Sequence, residues 1–201
     1  MGKVVVDLTM SLDGFIAGSD DSPGLPLGRG GEGLFTWMSA GPKANRVESR
    51  LAPPDESKVV VDEWMSQTGA MISGRRTFDI ANGWKDGHPV DAPIFVLTHD
   101  PPSGGEWSPR VQFVIEGIDR ALEMAQAAAG DLTVGVSGAD IAQQILRAGK
   151  LDEIQVSVVP LLLGAGVRLF DRLGPEPVKL EQIRVIESEG VTHLRYRVLG
   201  G

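Results

Sequence analysis

Short runs of β-branched residues, several of them followed by stretches with helical spacing, set the strongest limit on how this chain folds. Short, mostly apolar runs of four to eight residues, several rich in valine or isoleucine, read as buried strands. Such runs lie at residues 3–9, 70–73, 93–98, 111–115, 132–136 and 152–159. Asp55 is a candidate N-cap for a helix to about Gln67, with Val60, Val61, Trp64 and Met65 at helical spacing and Gly69 as its stop. Residues 119–129 read as an alanine-rich helix ended by Gly130, and residues 139–148 carry Ile141, Ile145 and Leu146 on one face. Residues 178–187 and 191–199 flank Glu189 and Gly190 as a hairpin. The order predicts an α/β fold of three layers: a mixed, mainly parallel sheet, flanking helices, and a C-terminal antiparallel hairpin.

Two segments interrupt this rhythm. Residues 19–33 are dense in Gly, Pro, Asp and Ser and read as a long loop, with a helical piece at 34–38. Residues 42–54 carry no clear pattern. No internal repeat or composition shift marks a boundary, so residues 1–201 are expected to form a single domain.

Charge and cysteine usage remove several functions. There are 19 basic and 27 acidic side chains, a formal net charge of −8, which argues against nucleic-acid binding. The chain has no cysteine, so disulfides, thiolate catalysis and Cys-ligated zinc are excluded. His88, His99 and His193 lack metal-ligand spacing, and no metal site is expected. No run approaches the roughly 20 apolar residues of a membrane span, and Asp7 closes the first apolar run too early for a secretory signal. A soluble cytoplasmic protein is the expectation.

Three places could carry chemistry. The first is the turn Ser73-Gly74-Arg75-Arg76-Thr77, where a strand runs into a helix beside two always-charged guanidinium forks. Such a turn suits phosphate oxygens, although it also reads as a plain helix start with solvated arginines. The second is Val136-Ser137-Gly138-Ala139-Asp140-Ile141, whose small residues would let a pyrophosphate approach a helix N-terminus, or simply allow close helix–strand packing. Gly135 and Gly138 lack the Gly-x-Gly-x-x-Gly spacing of a Rossmann site. The third is Asp13, after the first strand, where a carboxylate could orient a substrate or relay a proton; Asp13-Gly14 is also ordinary turn chemistry. Phe15, Phe35 and Trp37, near the long loop, are candidates for aromatic walls around a substrate.

Taken together these segments resemble the dihydrofolate-reductase-like superfamily, and most closely the reductase domain of the riboflavin-biosynthesis deaminase/reductase. The matching stretches are Met10-Ser11-Leu12-Asp13-Gly14-Phe15-Ile16-Ala17, Ile72-Ser73-Gly74-Arg75-Arg76-Thr77-Phe78, Val136-Ser137-Gly138-Ala139-Asp140-Ile141, and the tail from Gly149 to Phe170. The resemblance implies a bound NADPH. It places Gly74, Arg75, Arg76 and Thr77 at the adenosine 2′-phosphate and Thr98 near the adenine ribose. It wraps Val136, Ser137, Gly138, Ala139, Asp140 and Ile141 around the pyrophosphate. Asp13 would act beside the nicotinamide and substrate, with Ala17 on the cofactor side and Phe15 and Trp37 on the substrate side.

The implied activity is hydride transfer to a C=N or C=O of a small polar, pterin- or pyrimidine-like substrate. Two alternatives stay open: a monofunctional 5-amino-6-(5-phosphoribosylamino)uracil reductase, and an NADPH-binding protein without chemistry. Arg29, Arg46, Arg50 and Arg168 are candidates for a substrate phosphate. The chain departs from the family in three ways. Ser137 stands where a glycine is common, the cysteine-bearing deaminase half is absent, and Glu48 is the one weak candidate for the acid that dihydrofolate reductases carry after the first loop. A homodimer is expected from the resemblance.

Overall fold

The computed structural model of the chain describes residues 2–40 and 52–200. Arg46, Glu48 and Arg50 lie outside the described residues, as does most of the 42–54 segment. Eight strands form one sheet: β1 (Val4–Ser11), β3 (Thr68–Gly74), β4 (Ile94–Leu97), β5 (Val111–Val114), β6 (Thr133–Ser137), β7 (Glu153–Val159), β9 (Leu180–Ser188) and β10 (Val191–Val198). A two-stranded ribbon pairs β2 (Phe15–Ala17) with β8 (Val167–Arg168). The helices are α1 (Asp55–Gln67), α2 (Arg75–Ile80), α3 (Ile118–Ala129) and α4 (Ala139–Arg147), with a 3-10 segment over Gly31–Ser39.

The sheet order is β5-β4-β3-β6-β1-β7-β10-β9. All pairs from β5 to β7 are parallel, and β10 joins β7 and β9 antiparallel. The expected mixed, mainly parallel sheet with a terminal hairpin is therefore present. One helix boundary differs from the sequence reading. Gly69 does not stop α1, because Thr68 is already extended and Gly69 lies inside β3. A Cβ there would come within 3.0 Å of the Ala129 backbone, so the glycine admits the end of α3 instead of ending α1.

Strand periodicity gives the sheet two unlike faces. Val4 and Val6 of β1, Ala70 and Ile72 of β3, Val134 and Val136 of β6, and Ile154 and Val156 of β7 share one buried cluster. Over it lie Ala121, Leu122 and Ala125 of α3 and Ile141, Ile145 and Leu146 of α4. This is the main core. Asp7, Thr9, Gln155 and Ser157 occupy the alternate positions of β1 and β7, with His193 and Arg195 of β10 in register beside them. That second face is polar, and α1 lies over part of it.

Candidate active site

A cleft of about 660 Å³ opens where β1, β3, β4 and β6 end. Strand order explains its place. The chain leaves β1 for β3 and outward to β5, then returns with β6 into the gap between β3 and β1. Loops depart in opposite directions from neighbouring strand ends, which is where open α/β sheets collect ligands.

The sheet brings the two phosphate-type turns side by side. Ser73 of β3 is the register partner of Ser137 of β6, so Gly74 and Gly138 emerge as neighbours. Gly138 has φ +96°, which favours glycine, and a Cβ on it would come 2.7 Å from Thr77 Oγ1. No side chain caps α4, so its first backbone N–H groups face the cleft unbonded by a cap. Of the residues expected to hold a cofactor, Ala17, Gly74, Arg75, Arg76, Thr77, Thr98, Ser137, Gly138, Ala139, Asp140 and Ile141 all line the cleft. Val136 does not. It is buried in the main core one residue before the turn.

Both arginines already have partners. Arg75 Nε donates to Asp79 Oδ1 at 2.9 Å, and its Nη1 donates to the Asp100 carbonyl at 2.6 Å. Arg76 reaches across the cleft to the long loop. Its Nε donates to Asp21 Oδ2 at 3.1 Å, and its Nη2 pairs with Asp21 Oδ1. Asp21 lines the cleft, so a carboxylate of the protein itself sits in the guanidinium fork. In sequence Asp20-Asp21 reads as a solvated acidic doublet, and nothing there pairs Asp21 with Arg76, 55 positions away.

Asp13 lies elsewhere. Ser11 Oγ donates to its Oδ1 at 2.6 Å, the Leu163 N–H to Oδ1 at 3.1 Å, and the Gly164 N–H to Oδ2 at 2.7 Å. The Ser11 hydroxyl acts most strongly, and with the Gly164 and Leu163 N–H groups it outweighs the opposing effect of burial and pulls the carboxyl down to about 2. A carboxylate so held has no proton to give near neutral pH, and it is not part of the cleft lining. Expected beside the nicotinamide and substrate, Asp13 here fastens the first turn to the 161–166 loop. Phe15, expected on the substrate side, also lies apart from the cleft. It is buried under the Arg168 guanidinium, 4.4 Å from its ring centre, and lines neither the cleft nor the cavity beside it.

A second cavity, of about 180 Å³, adjoins the cleft and shares Leu8, Thr9 and Phe35 with it. Trp37 and Trp64 stand in its walls, and Asp7, Thr9 and Ser157 come from the polar sheet face. Trp37 thus sits at this cavity, and Phe35 borders both spaces. Behind it the polar face is closely paired. His193 bridges Ser57 Oγ at 2.9 Å and Ser157 Oγ at 2.8 Å, and burial, then Arg184, pushes its pKa down to about 4. Arg184 holds Glu63 through two bonds of 2.7 Å, and this keeps the Glu63 carboxyl low. Burial would raise Glu153, but Lys3 and Arg195 hold it below its usual value. Asp7 is the exception. Burial raises it to about 7, against Arg195 and Arg184, whose charges Glu153 and Glu63 already balance.

Arg29 pairs with Asp20 at 2.8 Å, and Arg168 donates to the Asp13 carbonyl at 3.0 Å. Among the described residues no cluster of three or more His, Asp or Glu is placed to hold a metal ion, and no helix is long and apolar enough to cross a membrane.

Comparison with known proteins completes the picture. The model of the RibD C-terminal domain family matches residues 2–193. A putative riboflavin biosynthesis protein from Shewanella sp. PV-4 superposes with a TM-score of 0.68 at 24% identity, covering 99% of each chain. RibD of Acinetobacter baumannii gives 0.64 at 18% identity, with 99% of this chain covering 58% of that one. A riboflavin biosynthesis reductase from Saccharomyces cerevisiae gives 0.59 at 14% identity, covering 98% and 90%. At these identities the likeness is one of fold. No curated protein sequence matches the chain.

Proposed function

Because the chain belongs to the RibD C-terminal domain family, we propose that it is an NADPH-dependent reductase of a pyrimidine-like substrate in riboflavin-type metabolism. The observation that carries this reading is the convergence of the Gly74–Thr77 and Ser137–Ile141 turns on one cleft, with two arginines on its wall.

The residues present fit NADPH. The volume is in the range of small-molecule and cofactor sites. Gly138 leaves room that any side chain would fill, and the uncapped start of α4 offers N–H donors to a pyrophosphate. Arg75 and Arg76 offer forks to a further phosphate, which NADPH carries and NADH lacks. Bound there, NADPH supplies a hydride to an electrophilic carbon. The protein's own share is orientation and exclusion of water: Ile16, Leu97 and Val167 give the cleft apolar walls. Asp13 keeps the first turn and the 161–166 loop together, and Arg168 packs on Phe15 beside it.

The same reading places the enzyme in the cytoplasm as a homodimer. The support for a dimer is the edge strand β9, which exposes Leu180, Ile183 and Val185.

Thermal unfolding with NADPH and with NADH tests the function. NADPH at about 100 times its Kd adds roughly 2.7 kcal/mol and is expected to raise the midpoint by about 5–10 °C. NADH is expected to give a clearly smaller shift. No shift with either would refute the reading.

A further inference from the structure

The chain has two asparagines, Asn45 and Asn82, and only Asn82 stands before a glycine. Asparagine carries an electrophile of its own. Its side-chain amide carbon, Cγ, lies close enough to the backbone nitrogen of the next residue for the two to close a five-membered ring. A glycine there leaves that nitrogen uncrowded, because it has no Cβ. This chemistry is one reason asparagine is thermolabile. In a folded protein its rate depends on what holds the two atoms.

At Asn82 neither atom is held. The side chain is exposed. Neither its amide nor the Gly83 N–H has a hydrogen-bond partner among the described residues. The backbone there is also strained. Asn82, Gly83 and Trp84 take φ values of +50°, +62° and +49° in succession, in the short turn Asn82–Trp84 that follows α2. Asparagine and glycine tolerate the left-handed region, but a tryptophan there is an outlier. Such a turn persists only where its surroundings over-determine it. The Ser108 N–H donates to the Gly83 carbonyl at 2.9 Å, and the Trp84 N–H donates to the Ala81 carbonyl at 3.0 Å. Trp107 packs so closely that a Cβ on Gly83 would come 2.6 Å from the Trp107 Cβ. The carbonyl side of Gly83 is therefore pinned, and its nitrogen side is free to react.

We propose that Asn82 is a modification site, at which the folded protein deamidates and acquires an isoaspartate. The Gly83 nitrogen gives its proton to solvent base and forms a bond to Asn82 Cγ. The Cγ–Nδ2 bond breaks, and the side-chain nitrogen takes up a proton and leaves as ammonia. Water then opens the succinimide at one of its two carbonyls. Opening at Cγ gives aspartate. Opening at the backbone carbonyl carbon gives isoaspartate, with the chain now running through Cβ and Cγ. Nothing is oxidised or reduced, and water is the one co-reactant.

The two products act differently on the fold. Aspartate keeps the backbone path, and like asparagine it is tolerated at positive φ. Isoaspartate lengthens the path by one carbon, against a Gly83 carbonyl that Ser108 and Trp107 hold in place. Trp84 and Trp107 each meet the Phe78 ring edge-on, with centres 6.1 Å apart. Phe78 lies on α2 with Arg75, Arg76 and Thr77, so the added carbon loosens the packing behind one wall of the cleft.

The test ages the full-length protein at mildly alkaline pH and digests it with trypsin at intervals. Cleavage after Arg76 and Lys85 isolates residues 77–85, in which Asn82 is the only side-chain amide. Liquid chromatography with mass detection is expected to show aspartyl and isoaspartyl forms of this peptide. They should accumulate within about tenfold of the rate in the urea-unfolded chain, because only a local opening stands in the way. The rate should fall at mildly acidic pH, where less base is present to take the Gly83 proton. Native protein that stays unmodified while the unfolded chain converts would overturn the site. Asn82→Gln, whose longer side chain would have to close a six-membered ring, is expected to stay unmodified under the same conditions, and equal conversion there would place the reaction elsewhere. The isoaspartyl fraction is expected to unfold about 4 °C or more below fresh protein, whereas Asn82→Asp should unfold within about 2 °C of it. An isoaspartyl fraction as stable as fresh protein would overturn the link to the aromatic cluster.

Discussion

Strands β1 and β7 present two faces one residue apart, and the faces do opposite things. Val4, Val6, Ile154 and Val156 disappear into a core with α3 and α4. Asp7, Gln155 and Ser157, interleaved with them, carry a carboxyl, an amide and a hydroxyl under α1 and beside the C-terminal hairpin. The first face stabilises by removing apolar area from water. The second spends part of that stability on buried polar groups that must find partners. A parallel sheet covered on both sides ordinarily has two apolar faces, so the departure marks where this fold has room for chemistry.

The sharpest way to break the comparison is to cut the apolar face. Ile145→Ala, at a fully buried position on α4, is expected to cost about 3–4 kcal/mol in urea unfolding. NADPH affinity measured well below the transition should change little. If the cost were under about 1 kcal/mol, the α3/α4 face would not be the main core.

The polar face is expected to respond with the opposite sign. Folding raises Asp7 from 3.8 to about 7, so the folded protein keeps a proton that the unfolded chain releases. The stability tied to that proton is complete below about pH 4 and is lost as pH rises to 7. Asparagine does not titrate. Asp7→Asn should therefore match wild type near pH 4 and be more stable at pH 8, by about 2–3 kcal/mol once partial access to water is allowed for. Chemical denaturation at the two pH values reads this directly, and equal stability at pH 8 would mean that Asp7 is not desolvated. A gain in stability from removing a charge is a signature of a residue kept for function.

The smallest effect sharpens the picture at the cleft. Asp21→Asn frees the Arg76 fork and is expected to tighten NADPH a few-fold, less than about 1 kcal/mol, because the pair is exposed on the arginine side. Calorimetric titration measures it, and weaker binding would show that Asp21 supports the site instead of occupying it.

Much of the site was legible because its chemistry is local. Gly74 with Arg75 and Arg76, and Gly138 with Ala139, announce themselves within four residues of sequence. Strand pairing only had to set the two turns side by side. Asp7 was not legible. After three valines it reads as the end of an apolar run, and its raised pKa comes from burial by elements distant in sequence, against Arg195 and Arg184 near the other end of the chain. Asp13 shows the converse. Its turn chemistry was plain, but its bonds to Leu163 and Gly164, about 150 residues away, were not. Phe15 and Phe35 were indistinguishable as aromatic residues near a loop. The ribbon of β2 and β8 turned one inward beneath Arg168, and the 3-10 segment left the other at the cleft.

The carboxylate in the Arg76 fork changes what recognition means at that spot. An empty guanidinium would gain the whole attraction of an incoming phosphate and shed a solution counterion in doing so. Here the counterion is tethered to the chain. Under the proposed reading, a phosphorylated dinucleotide would exchange one anion for another, and a dinucleotide without that phosphate would leave Asp21 where it is. Selectivity then rests on the difference between two anions at a single cation, and that difference responds only weakly to ionic strength. In the proposed complex the exchange would take Arg76 from Asp21 alone, because the loop keeps its own backbone bonds from Gly18 to Leu27 and from Arg29 to Ser19.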